Sequence, residues 1–173
     1  MIKKPSAIFK ILGKKIFYSE LIRLGTYYVY EHALPMGNLR VGDNPEIHPT
    51  VSFRFEKNIT LGNNLVIDAN CCLWASDNSK ITLGNNVGVG PGVVMVSSNH
   101  AFSAGSVYTE QPIKEKNIIV GNNVWVGANC SILSGAVIGK DSVIGAGCVI
   151  SRSIPENSVV VSGSRKLSII ERR

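Results

Sequence analysis

The sequence Ile-Thr-Leu-Gly-Asn-Asn occurs at Ile59–Asn64 and again at Ile81–Asn86, and Ile118–Asn123 (Ile-Ile-Val-Gly-Asn-Asn) is a third copy. A six-residue period runs beneath these copies. Its aliphatic positions are Val120, Val126, Ile132, Ile138, Ile144 and Ile150. A period of six fits neither a helix nor an alternating strand. It is typical of a parallel β-helix, in which each hexapeptide forms a short strand and a corner. Glycine and asparagine suit the corners because both tolerate positive φ.

Three hexapeptides make one 18-residue coil, which predicts three columns of inward side chains. The first column contains Leu61, Leu83, Val120 and Ile138. The second contains Ile67, Val89, Val126 and Ile144, and the third contains Leu73, Met95, Ile132 and Ile150. Val41, Ile47 and Phe53 form an earlier coil. Successive coils are expected about 4.8 Å apart, the usual spacing of paired strands.

The distances between coils along the chain reveal insertions. The steps in the first column, from Val41 through Leu61, Leu83 and Val120 to Ile138, are 20, 22, 37 and 18 residues. The period within each coil is unbroken, so every insertion leaves at one corner, after the third column. The bulges near Arg54–Glu56, Trp74–Ser79 and Val96–Asn117 are therefore predicted to project side by side. Loops held on a rigid scaffold commonly carry function.

The longest insertion contains His100, five residues after Met95 of the third column. Asp77 lies four residues after Leu73, so we expect it beside His100, one coil earlier. An imidazole titrates in the range needed to take a proton from a hydroxyl near neutral pH. Asp77 is a candidate for contacting an acceptor or orienting an imidazole; a turn-forming aspartate is the alternative. His32, His48 and His100 share neither a column nor ligand spacing, which argues against the three-histidine zinc site of a γ-type carbonic anhydrase.

Composition limits the classes of protein and the partners that remain to be considered. A chain of 173 residues with 45% hydrophobic residues fits one globular domain. It contains neither an 18-residue apolar run nor a recognisable signal peptide, so we expect a cytoplasmic protein. The net charge is +6, but no groove-reading motif accompanies it, which argues against nucleic acid as a partner. Cys71, Cys130 and Cys148 occupy small positions of the third column and are predicted to be buried free thiols.

The chain divides into a helical cap segment (residues 1–40), a β-helix domain (residues 41–154, with the loop 96–117) and a tail (residues 155–173). Helical spacing of apolar residues predicts helix within Ser6–Tyr30. Residues 1–31 carry six basic and two acidic residues. Two interpretations remain open for this segment: a cap over the first coil, or a basic amphipathic face on a membrane. A flat threonine ladder, as in ice-binding solenoids, is absent from the sequence.

Several motifs occur in order along the chain: Ser98-Asn99-His100, Gln111-Pro112-Ile113, Val120–Ala128 with its Asn-Asn-Val-Trp, Val143–Gly147 and Ser153–Asn157. With them, the stretch from Val41 to Ser164 resembles the hexapeptide-repeat acyltransferases, in the branch of galactoside, maltose, xenobiotic and polysaccharide O-acetyltransferases. The resemblance implies a left-handed β-helix and a homotrimer with active sites between subunits. It also implies acetyl-CoA as co-substrate, no metal, and His100 as the general base of a direct transfer.

The resemblance also assigns binding residues. Trp125 would line the coenzyme A cleft, Ala128, Ala146 and Gly147 would let the pantetheine lie close to the backbone, and Ser151 and Arg152 would lie near its outer end. Arg152, Arg165 and Lys166 are candidates for the phosphates. Gly163 is followed by Ser-Arg-Lys where the family usually has a proline, which affects the assignment of Arg165 and Lys166. On the acceptor side the candidates are Asp68, where related sugar acetyltransferases carry asparagine, together with Asn70, Asp77 and Tyr108.

The function predicted on this basis is transfer of acetyl to a hydroxyl of a sugar or cell-surface polysaccharide precursor. The basic N-terminal segment would suit work at the inner face of the membrane. The alternatives are N-acetylation of an amino sugar nucleotide and O-acetylation of an antibiotic.

Overall fold

A computed structural model of the chain describes residue 12, residues 14–162 and the backbone of residues 167–171. Three sheets of parallel strands wrap around one core, and each complete coil contributes one strand to each sheet; the last strand of the second sheet is antiparallel. The first sheet comprises β1 (Arg40–Val41), β4 (Ile59–Leu61), β7 (Ile81–Leu83), β12 (Ile118–Val120), β15 (Val137–Ile138) and β18 (Ser153–Ile154). The second comprises β2 (Glu46–Ile47), β5 (Val66–Ile67), β8 (Gly88–Val89), β13 (Trp125–Val126), β16 (Val143–Ile144), β19 (Ser158–Ser162) and β20 (Leu167–Glu171). The third comprises β3 (Ser52–Arg54), β6 (Cys72–Trp74), β9 (Val94–Val96), β14 (Ser131–Leu133) and β17 (Val149–Ile150). The predicted parallel β-helix is confirmed.

The three predicted columns are also confirmed, residue by residue. In the first sheet Val41, Leu61, Leu83, Val120 and Ile138 pair in succession. The second and third sheets pair in the same register from Ile47 to Ile144 and from Phe53 to Ile150. From the second coil onward these side chains are at most 2% exposed, so they form one continuous apolar core.

The cysteines of the third column are buried, as predicted, and all four cysteines are free. Burial raises the pKa of the thiols of Cys71, Cys130 and Cys148, and also that of the half-buried Cys72. A thiol with a raised pKa is a poor nucleophile near neutral pH because little thiolate is present. Cys71, Cys130 and Cys148 are therefore packing residues of the core.

In each Gly-Asn-Asn corner, the glycine and the two asparagines are required for three different structural reasons. The second asparagines, Asn64, Asn86 and Asn123, have positive φ of 53–56°. The glycines are needed for another reason: a Cβ at Gly62 would lie 2.5 Å from the carbonyl oxygen of Gly84 in the next coil. The prediction that these glycines serve positive φ is wrong, because close approach between coils requires them.

The first asparagine of each corner links one coil to the next. Asn63 accepts a hydrogen bond from the backbone N–H of Asp43 through its Oδ1, at 2.8 Å. Asn85 and Asn122 accept equivalent bonds, also at 2.8 Å, from the N–H groups of Asn63 and Asn85. The repeated motif therefore encodes a ladder of side-chain bonds that holds the coils in register.

The N-terminal segment forms the helix α1 (Lys15–Tyr28), a π-helical turn (Val29–Ala33) and a short helix α2 (Leu34–Met36). The turn and α2 pack against β3: Pro35 is buried, and the Nδ1 atom of His32 lies 2.8 Å from the carbonyl oxygen of Val51. By contrast, α1 contains no buried residue. None of the described helices is long and apolar enough to cross a bilayer.

The solenoid continues beyond Ile154, where the sequence analysis placed the start of the tail. Ile154 pairs with Ile138, and Val160 pairs with Ile144. Each step is 16 residues rather than 18, so the last coil is shortened by two residues at the insertion corner. Strand β19 then pairs antiparallel with β20, which continues the second sheet.

Candidate active site

The three insertions lie side by side at the corner between the third and first sheets, as predicted. The Nδ2 atom of Asn58, in the first insertion, donates a 2.7 Å bond to the carbonyl oxygen of Ser76 in the second. The hydroxyls of Ser79 and Ser97 then join the second insertion to the third at 2.6 Å. We call this edge the insertion corner.

The third insertion is a β-hairpin of β10 (Ser98–His100) and β11 (Ile113–Glu115), with a 3₁₀ turn at Tyr108–Glu110 between them. Gln111 fixes the chain between the strands. Its Nε2 donates to the carbonyl oxygens of Ser103 and Ser106 at 3.0 and 3.1 Å, and its Oε1 accepts from the N–H of Ser103 at 2.8 Å. Gln111 therefore has a structural role that the motif comparison did not reveal.

His100 ends β10, opposite Ile113, with its side chain exposed. The ring of Tyr108 packs edge-on against the imidazole, with 5.3 Å between ring centroids and 84° between planes. Within the described residues neither imidazole nitrogen has a hydrogen-bond partner. The structure thus brings together two predicted site residues and presents an imidazole whose nitrogens are available to a substrate.

Asp77 and His100 lie on adjacent insertions, but the contact between these insertions is made by a residue that the sequence analysis did not single out. Glu115, at the base of the hairpin, accepts hydrogen bonds from the Ser76 hydroxyl and, at 3.1 Å, from the N–H of Asn78. These hydrogen bonds lower the pKa of the Glu115 carboxyl. Among the described contacts, the Asp77 carboxylate has none with His100. Glu115 has no position in the six-residue period, so no sequence signal marked it.

The other acceptor candidates lie on a different edge of the solenoid, between the second and third sheets. Asp68 and Asn70 are exposed there, and the N–H of Asn70 donates to the Thr50 hydroxyl at 2.8 Å. Asp68, Glu46 and His48 line an open groove of about 280 Å³. Ala128, Ala146 and Gly147 stack on the same edge in later coils, which we call the alanine corner; the N–H of Gly147 donates to the carbonyl oxygen of Ala128 at 2.9 Å.

Trp125 projects outward from the second sheet, as predicted, and is 59% exposed. It pairs with Gly88 in the preceding coil and Val143 in the following one. A Cβ at Gly88 would lie 3.5 Å from the indole Cδ1, so the ring lies over the glycine. Gly88 is therefore a further residue that shapes this surface.

Of the residues predicted at the phosphate end of coenzyme A, the structure describes only two. Ser151 and Arg152 are exposed on the insertion corner, after β17. This places them two coils beyond the histidine hairpin. Arg165 and Lys166 lie outside the described residues. Within the described part of the chain there is no cluster of three or more metal-ligating side chains.

One chain thus carries its candidate residues on two separate edges. His100, Tyr108, Ser151 and Arg152 belong to the insertion corner, whereas Asp68, Asn70 and the small residues belong to the alanine corner. The exposed apolar side chains of the hairpin, including Phe102 (90% exposed) and Ile113 (56%), also lack cover from the rest of the chain.

Comparison with known proteins agrees with this architecture. Residues 117–152 match the family described as bacterial transferase hexapeptide (six repeats). Galactoside O-acetyltransferase of Escherichia coli K12 is 36% identical over 128 residues, which cover 71% of this chain and 59% of that protein. A candidate lipopolysaccharide biosynthesis O-acetyl transferase of the same strain, WbbJ, is 29% identical over 142 residues, which cover 67% of this chain and 70% of that protein.

Among solved structures, a hexapeptide-repeat acetyltransferase of Vibrio cholerae in complex with acetyl coenzyme A superimposes with a TM-score of 0.71 and 26% identity. The match covers 81% of this chain and 74% of that one. The protein belongs to the hexapeptide-repeat acyltransferase family, and the proteins it is similar to include galactoside and maltose O-acetyltransferases. The chain spans 56–59% of the length of the first three named relatives that it matches.

Proposed function

We propose that the protein is an acetyl-CoA-dependent O-acetyltransferase that acts on a hydroxyl of a sugar or cell-surface polysaccharide precursor. The observation that carries this proposal is the exposed imidazole of His100. It lies on a hairpin that Glu115 fixes to the second insertion, and neither ring nitrogen has a hydrogen-bond partner among the described residues. The family and the acetyl coenzyme A in the Vibrio cholerae structure support the reaction class. The names of the two E. coli relatives support a carbohydrate acceptor.

His100 acts as the general base. A ring nitrogen takes the proton from the acceptor hydroxyl while the hydroxyl oxygen attacks the thioester carbonyl carbon of acetyl-CoA. The oxyanion that forms is stabilised by backbone N–H groups directed at it. When the C–S bond breaks, the imidazolium returns its proton to the departing thiolate, and the histidine is ready for the next cycle. Tyr108, packed against the ring, keeps the imidazole plane in one orientation.

No cysteine is needed in this reaction. The acyl group passes directly from sulfur to oxygen, and burial of Cys71, Cys130 and Cys148 leaves these thiols unsuited to forming an acyl-enzyme. Trp125, Ala128, Ala146 and Gly147 provide an outer surface of an indole and small residues along which a pantetheine chain would lie, and Arg152 provides a cation for its phosphates.

We also propose that the enzyme is a homotrimer with its active sites between subunits. The acceptor candidates Asp68 and Asn70 and the pantetheine candidates Ala128, Ala146 and Gly147 lie on a different corner from His100, so one chain does not complete a site. In a ring, the insertion corner of one copy meets the alanine corner of the next, which is a heterologous interface that closes. The same contact would cover the exposed apolar residues of the hairpin.

Thiol release from acetyl-CoA in the presence of a panel of sugars and amino sugars tests the function. His100→Ala should lower kcat by about 10²–10⁴-fold, the usual contribution of a general base. Lys57→Ala is the matched control, because Lys57 is exposed on the first insertion and belongs to no candidate site. Full activity of His100→Ala, with an unchanged melting temperature, would contradict the assignment.

A further inference from the structure

The surface that the proposed function leaves unexplained is α1. Nine of the large apolar or aromatic residues between Ile16 and Tyr30 are 45–73% exposed. Phe17, Leu21, Leu24 and Tyr28 recur at helical spacing along one side of α1, and Tyr18 and Tyr27 lie at the two edges of this side. Lys15, Ser19, Arg23 and Thr26 recur in the same way on the opposite side. The helix is therefore amphipathic, yet none of its residues is buried. Its last turn approaches the solenoid, where Tyr28 lines a cavity of about 190 Å³ with Val51 and Phe53.

The helix also lacks the local features that stabilise a free helix. It has 14 residues, no side-chain hydrogen bond at its N-cap, no acidic residue in its first turn and no basic residue in its last. Lys14 and Lys15 lie instead at its N-terminus, where the helix dipole disfavours positive charge. Gly25, a poor helix former, lies in its last turn. Its C-terminal end continues into the π-helical turn that packs against β3, which leaves the N-terminal turns without a packing partner among the described residues. Because short unsupported helical segments are marginal in water, an external surface would stabilise these turns.

The charge and side-chain types identify that surface. Residues 1–28 contain six basic residues and one acidic residue, Glu20, which pairs with Arg23 at 2.6 Å. Four of the five tyrosines of the chain lie between Tyr18 and Tyr30, and all four are exposed. Tyrosine is enriched at membrane interfaces because its ring is apolar and its hydroxyl polar. Basic residues beside an apolar helical face are attracted to anionic lipid.

We propose that α1 lies in the interface of an anionic lipid bilayer and holds the solenoid at the membrane by the end that carries its first coil. Phe17, Leu21 and Leu24 enter the acyl boundary, while Lys14 and Lys15 contact lipid phosphates. Lipid phosphate also neutralises the charge that destabilises the N-terminus of the helix. A second copy of the chain is a poorer occupant of this face, because it would bring another set of basic residues to the same surface.

The test is flotation of the full chain with vesicles of phosphatidylcholine alone and of phosphatidylcholine mixed with phosphatidylglycerol. Leu21→Gln with Leu24→Gln removes two exposed apolar side chains without changing charge, and glutamine is nearly as good a helix former as leucine. Ser19→Gln with Thr26→Gln is the matched control on the polar side. We expect the wild type and the control to bind the anionic vesicles, and the leucine variant to bind about tenfold to a hundredfold more weakly.

Three results would overturn the proposal: no flotation of the wild type, equal binding by the leucine variant, or binding to neutral vesicles as strong as to anionic ones. A lower oligomeric mass of the leucine variant in solution, with wild-type flotation absent, would assign the face to a second copy instead. Thiol release with a soluble acceptor should be the same in all three proteins. Loss of vesicle binding is thereby separated from any failure of the proposed catalytic function.

Discussion

Gly62 lies where two coils approach most closely within the repeated motif, and Gly62→Ala tests that approach. A Cβ there would lie 2.5 Å from the carbonyl oxygen and 2.6 Å from the carbonyl carbon of Gly84. Ordinary contacts between carbon atoms are about 3.5–4.0 Å, so the coils must separate by roughly 1 Å at this corner. Because both opposing atoms belong to the backbone, no side-chain rotation relieves the clash.

That separation stretches two hydrogen bonds. The N–H of Gly62 donates to the carbonyl oxygen of Leu83 at 3.0 Å, and the N–H of Asn63 donates to Oδ1 of Asn85 at 2.8 Å. Overpacking costs typically 1–3 kcal/mol, and weakening two bonds adds about 1 kcal/mol. We therefore expect the free energy of unfolding to fall by about 2–4 kcal/mol. For a chain of this size the melting temperature should fall by roughly 5–15 °C.

The measurement is thermal and urea unfolding followed by circular dichroism at one protein concentration, since assembly makes stability depend on concentration. Gly88→Ala is the matched control, because its Cβ would have its nearest contact at 3.5 Å, an ordinary van der Waals distance. It should unfold within a few degrees of wild type. If Gly62→Ala were as stable as the control, the coils would not be in the close contact described. Close approach between coils would then not explain why glycine occupies the same position in the three copies of the motif.

Two further predictions concern the hairpin and the core. Glu115→Gln should lower kcat, because Glu115 positions the hairpin of His100 through Ser76 and Asn78. The KM for acetyl-CoA and the melting temperature should stay near their wild-type values. A lower melting temperature with unchanged kcat would instead show a merely structural role. Since hydrogen bonds lower the pKa of Glu115, its stabilising effect is present above the unfolded pKa and is lost as the pH falls through the folded pKa. After division by the intrinsic exchange rate, which itself falls with pH, the protection of the hairpin amides should therefore decrease in acid. Equal protection of these amides in wild type and Glu115→Gln at neutral pH would contradict the role of Glu115 in fixing the hairpin. Iodoacetamide should leave Cys71, Cys130 and Cys148 unmodified in the native protein. Burial raises the pKa of these thiols and blocks access of the reagent. Rapid alkylation of these three cysteines, detected by mass spectrometry, would refute this packing.

The sequence predicted the solenoid to the level of individual strand pairs because the inward positions have a strict physical requirement. Each needs an apolar side chain, and each coil repeats the same geometry, so counting residues from Val41 to Ile138 is enough to assign the register. The count fails only after Ile150, where the last coil loses two residues and Ile154 and Val160 continue the columns out of period.

The site was less predictable because its residues lie where the period is broken. The position of His100 on the insertion corner followed from the count, but the contacts within the insertions did not. Gln111 and Glu115 bond to backbone groups whose positions depend on the folded loop, and no spacing rule connects Glu115 with Ser76. The division of the predicted residues between two corners became visible only when the sheets were assigned.

The proposed homotrimer needs two copies of the chain for a complete active site, one contributing His100 and the next contributing Trp125 and the alanine corner. Co-expression of His100→Ala chains with Trp125→Ala chains tests it, provided that each variant alone is nearly inactive and assembles. In a randomly mixed ring with heterologous interfaces, about a quarter of the interfaces carry both intact residues. We expect recovery of about that fraction of wild-type activity. Mixed assemblies that remain as inactive as the separate variants would show that both residues must come from the same chain.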